Sequence, residues 1–402
     1  MNFNSDDKHV KNILKSCFQN ADKIRILESN EKNDEIHFTS SIIQLKVECY
    51  QNGKPQYKDL ILKIPNSDRS NSYFSRFDFY HKEIRTYAEM IPRMIHRLGN
   101  RIFPTHYCTT SSESLVFENL SSQGYKSGAK EDFFDLEHNY LILKALAQFH
   151  AASYRIRQEN PDILNEAAFH KTISIDARQD SIDTWYPVMC KLLRQREATH
   201  LIPEIEKAFS FLRQDDDRVY STVKSSHFKL VVFNHGDFRK ENLQLKHDSL
   251  GGIENVKFID FQACWWSSPV YDFLVHLIFS VPIEIVEKHF EKLVDEYLAN
   301  LKKALKGLKC FCDYERADFM KDVSRLHFVI ISCLLAKCIF SSNISHAKKV
   351  DTLVLEDKEK MHPYEECLQD EAFAQSLFGW LKFCEKLGVF ETFEKWTNNS
   401  VS

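Results

Sequence analysis

The chain has 402 residues, of which 43% are hydrophobic, and a formal charge of −4 from 53 basic and 57 acidic residues. This composition supports a sizeable core and two or three structural units, and it lacks the broad positive field that non-specific nucleic-acid binding needs. Only ten glycines are present, and they do not form a dinucleotide-binding fingerprint, a Walker P-loop or a G-x-S-x-G hydrolase elbow. We therefore expect neither a nucleic-acid partner nor an enzyme of those three classes.

Neither a membrane segment nor a secretion signal is expected. The N-terminal residues contain no apolar signal region, and the most apolar stretch, residues 328–340, is interrupted by Lys337 and is too short to span a bilayer. The sequence therefore predicts a cytoplasmic protein without a membrane partner, and nothing in it indicates an obligate protein partner. The eleven cysteines form no C-x-x-C pair, so reduced and mostly buried thiols are favoured over a zinc site or disulfides.

Up to about residue 120, short apolar or alternating runs predict strands. These runs cover residues 38–50, 57–64, 102–110 and 114–117. One helix interrupts them, because five apolar residues recur at the spacing of a single helical face. The five residues are Phe77, Tyr80, Ile84, Tyr87 and Ile91.

After residue 120 the apolar spacing becomes mainly helical, beginning with a stripe from Phe133 to Ala147 and continuing to the C-terminus. Residues 228–262 are the exception, since the segments FKLVVFN, LQL and VKFIDF are typical of short strands. The sequence therefore predicts an α+β fold with two lobes. A small β-rich lobe would cover residues 1–120, and a large, mainly helical lobe would cover residues 121–402.

Three polar residues near the predicted short strands are candidates for chemistry. Asp237 and Asn242 follow an apolar segment that ends at Phe233, and Asp260 follows another. Carboxylate and amide oxygens suit Mg²⁺, to which nucleotide phosphates supply further ligands, so Asn242 and Asp260 fit a metal site. Asp237 fits a general base that accepts the proton of an acceptor hydroxyl. The alternative, that both aspartates only cap turns, does not account for Asn242 and Gly236 beside them.

A lysine and a glutamate in the first lobe are candidates for binding phosphate. Lys63 is the only charged residue in the apolar run Leu60–Ile64, where an unpaired ammonium would be costly to desolvate. Glu83 borders the apolar stripe of the predicted helix and offers a partner. A pair placed in this way would orient the α- and β-phosphates of a nucleotide. The alternative is a lone lysine that buries its stem and extends its ammonium into solvent.

Taken together, these motifs resemble the ecdysteroid kinase-like (CHK kinase-like) family, whose relatives are choline kinases and aminoglycoside phosphotransferases. The likeness spans most of the chain. It rests on NHGD at 234–237 with Asn242, IDFQ at 259–262, SP at 268–269 with YD at 271–272, LAQFHA at 146–151 and VFENL at 116–120.

The resemblance implies a two-lobed protein-kinase-like fold that uses ATP and Mg²⁺ to phosphorylate a hydroxyl of a small molecule. It suggests an ecdysteroid-like sterol, another lipophilic alcohol or a xenobiotic as the acceptor. It also implies that the adenine binds to backbone near three residues, with Lys63 and Glu83 holding the phosphates. The three residues are Glu118, Asn119 and Leu120.

Two other functions remain open. A choline- or aminoglycoside-type kinase would need carboxylates around a cationic acceptor, for which Asp183, Glu284 and Glu287 are candidates. A non-catalytic kinase-like binding protein is the second alternative. It is motivated by residues 33–41, which contain no glycine where the family usually has a glycine-bearing turn, although Ser40 could still donate its hydroxyl to a phosphate.

Several residues around these motifs have supporting or undecided roles. Arg239 would either neutralise the transferring phosphoryl group or lie solvated in the loop. His235 and Asp272 are expected to support the catalytic loop, and His150 to be a hydrogen-bonded core histidine. Three aromatic residues beyond Asp260 would line an acceptor pocket or pack in the core. These are Trp265, Trp266 and Tyr271.

Overall fold

The computed structural model describes residues 8–31, 40–65, 79–99, 102–110, 114–128, 134–165, 175–213, 225–341 and 366–398. Contacts between residues divide the chain into two units. The first unit comprises Met1–Glu131 and Glu241–Cys264, and the second comprises Asp132–Lys240 and Trp265–Ser402. The lobe boundary expected at residue 120, with nucleotide binding on one side and acceptor binding on the other, stays a prediction.

Ten strands lie in these residues: β1 (Lys23–Glu31), β2 (Ser40–Gln51), β3 (Lys54–Pro65), β4 (His106–Thr109), β5 (Leu115–Glu118), β6 (Tyr125–Ser127), β7 (Val232–Asn234), β8 (Leu243–His247), β9 (Ile253–Phe258) and β10 (Trp265–Ser267). The same residues contain twelve α-helices: α1 (Lys8–Cys17), α2 (Phe79–Arg85), α3 (Ile91–Leu98), α4 (Leu136–Glu159), α5 (Ile175–Gln195), α6 (Ile202–Leu212), α7 (Val270–Ser280), α8 (Ile283–Gly307), α9 (Arg316–Arg325), α10 (His327–Ser341), α11 (Glu371–Lys386) and α12 (Val389–Asn398).

Within its described residues, the first unit contains two antiparallel sheets, a five-stranded sheet in the order β1-β2-β3-β5-β4 and a three-stranded sheet in the order β6-β8-β9. Asn52 and Gly53 join β2 to β3, both with positive φ, which suits a two-residue hairpin turn. Alternation along the hairpin places one set of apolar residues on the face that packs against α1. This cluster includes Ile43, Leu45, Leu60 and Leu62 with Val10, Ile13 and Leu14. Lys63 therefore lies on the opposite face of the sheet.

The predicted helix of the first lobe is confirmed from residue 79 onward, with one irregularity. A π-helical turn, Thr86–Met90, separates α2 from α3, and the Ile91 N–H donates to the carbonyl of Thr86. Pro92 stands in the first turn of α3, and its missing N–H favours such a break in the α-helical ladder. Phe77, the first member of the predicted stripe, lies outside the described residues.

The expectation that all cysteines are reduced is wrong for one pair. Cys17 at the end of α1 and Cys108 in β4 form a disulfide, with Cα atoms 5.3 Å apart. Most of the other nine cysteines are buried, as expected. The pair could not be read from cysteine spacing, because 91 residues separate its members and only the packing of α1 on the sheet brings them together.

The described part of the second unit is mainly helical and contains one short antiparallel pair, β7 with β10. Asp135 is the N-cap residue of α4, and its carboxylate caps the helix by accepting a hydrogen bond from the His138 N–H at 2.9 Å. The predicted stripe buries Leu143, Leu146 and Ala147 on this helix.

The predicted α+β class is confirmed, because the first unit is built on antiparallel sheets and the second is mainly helical. Across the residues that the structure describes, no helix is both long and apolar enough to cross a membrane.

Candidate active site

The predicted lysine–glutamate pair is formed in the first unit. Lys63 lies on β3 and its Nζ contacts Glu83 Oε2, on α2, at 2.6 Å and Asp260 Oδ1 at 2.7 Å. Burial by itself would favour the neutral amine, but the charges of Asp260 and Glu83 outweigh it and raise the pKa of Lys63. Burial also raises the pKa of Glu83, against the opposing charge of Lys63. The lone-lysine alternative is therefore wrong, since the ammonium is held between two carboxylates.

The two predicted metal ligands belong to neighbouring segments of the same unit. Asn242 precedes β8 and Asp260 follows β9, and the Ile259 N–H donates to the Asn242 carbonyl at 3.0 Å. Asp260 has left-handed backbone angles, φ 66° and ψ 60°, which aspartate tolerates better than most residues. This backbone turn sends the chain away from the strand at the residue whose carboxylate contacts Lys63.

The side chains of Asn242 and Asp260 fit Mg²⁺ better than a transition metal. No group of three or more His, Cys, Asp or Glu side chains within the described ranges could hold a metal by itself. One amide and one carboxylate are a set of hard oxygen donors, and Mg²⁺ characteristically takes only one or two protein ligands beside phosphate oxygens and water. A metal held by these two residues would therefore need further ligands from a nucleotide or water, and their metal-binding role stays a prediction.

The predicted adenine-binding segment lies at the end of β5. The Glu118 carboxylate accepts hydrogen bonds from the Lys257 ammonium at 2.7 Å, the Gln123 side-chain amide at 2.8 Å and the Thr105 N–H at 2.9 Å. Burial opposes ionisation, but these donors outweigh it and lower the pKa of Glu118. The protein itself thus uses the oxygens of this side chain, and the role of the segment in binding adenine stays a prediction.

The residues after Glu118 are also held in place. The Asn119 N–H donates to the Asp59 carbonyl at 2.9 Å, and its side chain accepts from the Ser121 N–H at 3.1 Å. Leu120 is buried at the start of a short 3₁₀-helix, Leu120–Gln123.

Ser40, the predicted phosphate contact of the N-terminal turn, is buried at the start of β2. It pairs with Pro65, two positions along from the pair of Ile42 with Lys63. Because directly paired residues and those two positions along share a face, Ser40 lies on the same face of the sheet as Lys63. Residues 33–39, the rest of the predicted turn, lie outside the described residues.

The predicted catalytic loop follows β7 in the second unit. The Asp272 carboxylate, buried in the first turn of α7, accepts hydrogen bonds from the His235 N–H at 2.6 Å and the Gly236 N–H at 2.9 Å. Gly236 has φ 85°, a value that a side chain would disfavour. Asp272 therefore fixes the backbone immediately before Asp237, and the His235 ring accepts a weak hydrogen bond from the Asp237 N–H at 3.4 Å.

Asp237 is partly exposed and has a close cationic partner. Arg239 Nε lies 3.0 Å from Asp237 Oδ1 and 3.2 Å from Oδ2. The Arg239 side chain is 21% exposed and the Asp237 side chain is 29% exposed. Solvent and small molecules can therefore reach both groups. Arg239 is therefore not merely a solvated loop residue, because its guanidinium is paired with the carboxylate of the predicted base.

Two core residues of the second unit reinforce this loop, and sequence reasoning missed one of them. His150 on α4 lies 3.2 Å from Asp272 Oδ2 through Nε2 and 2.7 Å from the Tyr297 hydroxyl through Nδ1. Since a carboxylate only accepts, Nε2 carries the proton and Nδ1 accepts from Tyr297. Burial lowers the pKa of His150 and keeps it neutral. His150 is thus the hydrogen-bonded core histidine expected, and no motif indicated Tyr297.

The aromatic residues considered for an acceptor pocket pack in the core of the second unit. Trp265 meets Tyr271 edge-on at 5.0 Å between ring centroids, and Trp266 contacts Phe233 at 5.2 Å. All three candidate aromatics are buried. The carboxylates considered for a cationic acceptor, in contrast, lie on the surface. Asp183 pairs with Arg213 at 2.9 Å, while Glu284 and Glu287 are exposed.

Comparison with known proteins gives one family match. The model of the ecdysteroid kinase-like family matches residues 35–310 of the chain. This range contains every predicted site residue. The match confirms the predicted resemblance to this family and the two-lobed protein-kinase-like fold. None of the curated proteins matches the chain significantly.

Solved structures are similar to the chain only at low levels. The GDP and kanamycin complex of APH(2")-IIia is 13% identical, covering 90% of this chain and 98% of that chain, with a TM-score of 0.46. Spectinomycin phosphotransferase APH(9)-Ia, in complex with ADP and spectinomycin, is 12% identical, covering 90% and 98%, with a TM-score of 0.44. The microcompartment-associated aminopropanol kinase is 12% identical, covering 82% and 98%, with a TM-score of 0.36.

Proposed function

The chain belongs to the ecdysteroid kinase-like family, which places it among small-molecule kinases, and we propose that it transfers the γ-phosphoryl group of ATP to a hydroxyl of a lipophilic alcohol. The observation that carries this proposal is the Lys63 ammonium between Glu83 and Asp260, at 2.6 and 2.7 Å. A buried cation held at this point provides a fixed charge for phosphate oxygens without reorganisation of the protein.

In this proposal, Glu83 orients Lys63 toward the α- and β-phosphates, and the Ser40 hydroxyl, on the same face of the sheet, donates to a phosphate. Asn242 and Asp260 hold Mg²⁺, which neutralises charge on the phosphates when it is bound. The backbone of Glu118–Leu120 binds the adenine. These roles extend the contacts described above to a bound nucleotide.

The chemical step assigned to the second unit is proton transfer. The acceptor oxygen forms a bond to the γ-phosphorus as the bond to the β-phosphate oxygen breaks and ADP leaves. Asp237 takes the hydroxyl proton, a contribution of roughly 10²- to 10⁴-fold in rate. Asp272 keeps the loop backbone in place, and Arg239, 3.0 Å from Asp237 Oδ1, neutralises charge on the transferring phosphoryl group.

The acceptor is proposed to be an ecdysteroid-like sterol, another lipophilic alcohol or a xenobiotic. Family membership supports this choice over a choline- or aminoglycoside-like cation. The surface positions of Asp183, Glu284 and Glu287 also support it, because a cationic acceptor calls for carboxylates that line its pocket rather than face bulk solvent.

The test is a γ-phosphate transfer assay against a panel of hydroxylated lipophilic and cationic compounds. Asp237→Asn should abolish product formation and leave the thermal shift produced by Mg-ATP nearly unchanged. Asp313→Asn is the matched control, since Asp313 is exposed and also pairs with a cation, Lys229 at 3.3 Å. It should retain full activity.

Two results would contradict the proposal. Unchanged turnover in Asp237→Asn would remove Asp237 from the mechanism. A wild-type protein that gains no stability from Mg-ATP and transfers no phosphate would favour the alternative of a non-catalytic kinase-like binding protein, because a ligand at 100 times its Kd adds about 2.7 kcal/mol of stability.

A further inference from the structure

A second buried lysine–glutamate pair lies in the first unit, apart from Lys63 and Glu83. Lys257 on β9 contacts Glu118 Oε1 at 2.7 Å, and their side chains are only 8% and 13% exposed. Lys257 stands between Val256 and Phe258, which are both buried. Separating or removing one partner of such a pair leaves a poorly solvated charge behind. The two side chains therefore stay together, and the pair holds β9 close to the end of β5.

The Glu118 carboxylate receives donors from three directions. The Thr105 N–H comes from the residue before β4, the Gln123 amide from the 3₁₀-helix after β5, and the Lys257 ammonium from β9. The Glu118 N–H also donates to the Thr105 carbonyl at 3.0 Å. Lys257 is the charged donor among these side-chain contacts, and charge-assisted hydrogen bonds are roughly twice as strong as neutral ones.

The strand that carries Lys257 also leads to the predicted metal site. Asp260 follows Lys257 by three residues, and the segment between them is anchored by the Phe258 N–H to the Ile102 carbonyl at 2.9 Å and by the Ile259 N–H to the Asn242 carbonyl at 3.0 Å. Residues 257–259 therefore have two roles. Their backbone hydrogen bonds hold the chain at the predicted metal ligands, and the Lys257 side chain holds the predicted adenine-binding segment.

We propose that Lys257 is a positioning residue for the nucleotide base: through Glu118 it fixes the backbone of residues 118–120 at the geometry that adenine requires. The inference rests on the proposed function and deepens it. It separates two parts of nucleotide binding, because Lys257 acts on the base through Glu118, whereas Lys63 and the metal ligands act on the phosphates.

The test compares ATP with inorganic tripolyphosphate, which has the phosphates but no base. In Lys257→Met, which keeps most of the apolar stem, the KM for ATP should rise roughly tenfold with kcat within about twofold, because base contacts are made equally in the ground and transition states. The affinity for tripolyphosphate with Mg²⁺, measured by calorimetry, should stay at the wild-type value.

Lys246→Met is the matched control. Lys246 lies on the adjacent strand β8. Both lysines lie near the Tyr125 ring, with Lys246 Nζ 6.0 Å and Lys257 Nζ 5.6 Å from the ring centroid. Its carboxylate partner is Glu254, at 3.9 Å, rather than Glu118. The KM for ATP should be unchanged in this variant. Lys257→Arg, which keeps the cation, should return the KM to within about threefold of wild type.

Folding failure of Lys257→Met would not prevent the test. The double variant Lys257→Met/Glu118→Gln leaves no unpaired charge, and it should show the same rise in the KM for ATP. An unchanged KM in a folded variant, even with a lower Tm, would overturn the inference by showing a structural role only, as would an equal loss of ATP and tripolyphosphate binding. Absence of ATP binding by the wild-type protein would instead overturn the proposed function.

Discussion

Replacement of Lys63 by methionine tests the electrostatics of the candidate site most directly. The substitution removes the ammonium that contacts Glu83 and Asp260 but keeps an apolar stem of similar length. Glu83 is then left with a side chain that is only 1% exposed, whereas Asp260 is 26% exposed and keeps part of its solvation. The destabilisation should therefore come mainly from Glu83.

The size of the effect follows from this burial. Removing one partner of a buried ion pair costs about 3–5 kcal/mol, and the contribution of Asp260 is reduced because solvent screens it. We expect the free energy of unfolding to fall by about 3 kcal/mol at pH 8. The loss should be smaller at pH 5, because without Lys63 the folded state favours protonated Glu83, whereas the unfolded chain releases that proton above about pH 4.3.

Denaturant unfolding at pH 5 and pH 8 measures both quantities. Lys54→Met is the control, since Lys54 lies exposed on the same strand, and it should change stability by less than about 0.5 kcal/mol. Adding Glu83→Gln to Lys63→Met should restore much of the stability at pH 8 by removing the unpaired charge. A cost no greater than that of Lys54→Met, or one that is independent of pH, would refute the reasoning.

Two further predictions concern stability away from the site. Reduction of the Cys17–Cys108 disulfide, or the substitution Cys17→Ser, should lower the free energy of unfolding of the first unit by up to about 4.6 kcal/mol, because the bond closes a loop of about 91 residues. An unchanged Tm after reduction would contradict this prediction. Burial lowers the pKa of His276 to about 3, so below about pH 6.5 the unfolded chain binds a proton that the folded chain does not. Stability should then fall by up to about 1.4 kcal/mol per pH unit between pH 6.5 and 3, and titration of His276→Gln, which should lack this component, provides the check.

Local patterns predicted much of the regular structure. The runs at 38–50 and 57–64 correspond to β2 and β3, and the helical stripe beginning near residue 133 corresponds to α4. In contrast, α1 and β1 were not predicted. β1 is an edge strand whose first residues, Lys23–Ile26, alternate between charged and apolar side chains. This is the alternation expected of a strand that packs one face against the core, and the signal was overlooked because it is only a few residues long.

The candidate site shows the same division between local and distant information. Sequence reasoning singled out Lys63 because it was the only charge in an apolar run, and the structure supplied its partners. Lys257 has a similar signal, a lysine between Val256 and Phe258, but this signal was overlooked. The catalytic, metal-binding and nucleotide-binding roles of the site residues stay predictions.

The sequence by itself determined the α+β class, the family and the order of the polar residues that follow apolar strands, because alternation and short motifs depend on residues close together in the chain. Only the tertiary structure decided which charges meet. Lys63 and Asp260 are 197 residues apart, Glu118 and Lys257 are 139 apart, and Cys17 and Cys108 are 91 apart. The physical reason is that such pairs form when separate strands and helices pack together, and the register of that packing is not encoded in any local pattern.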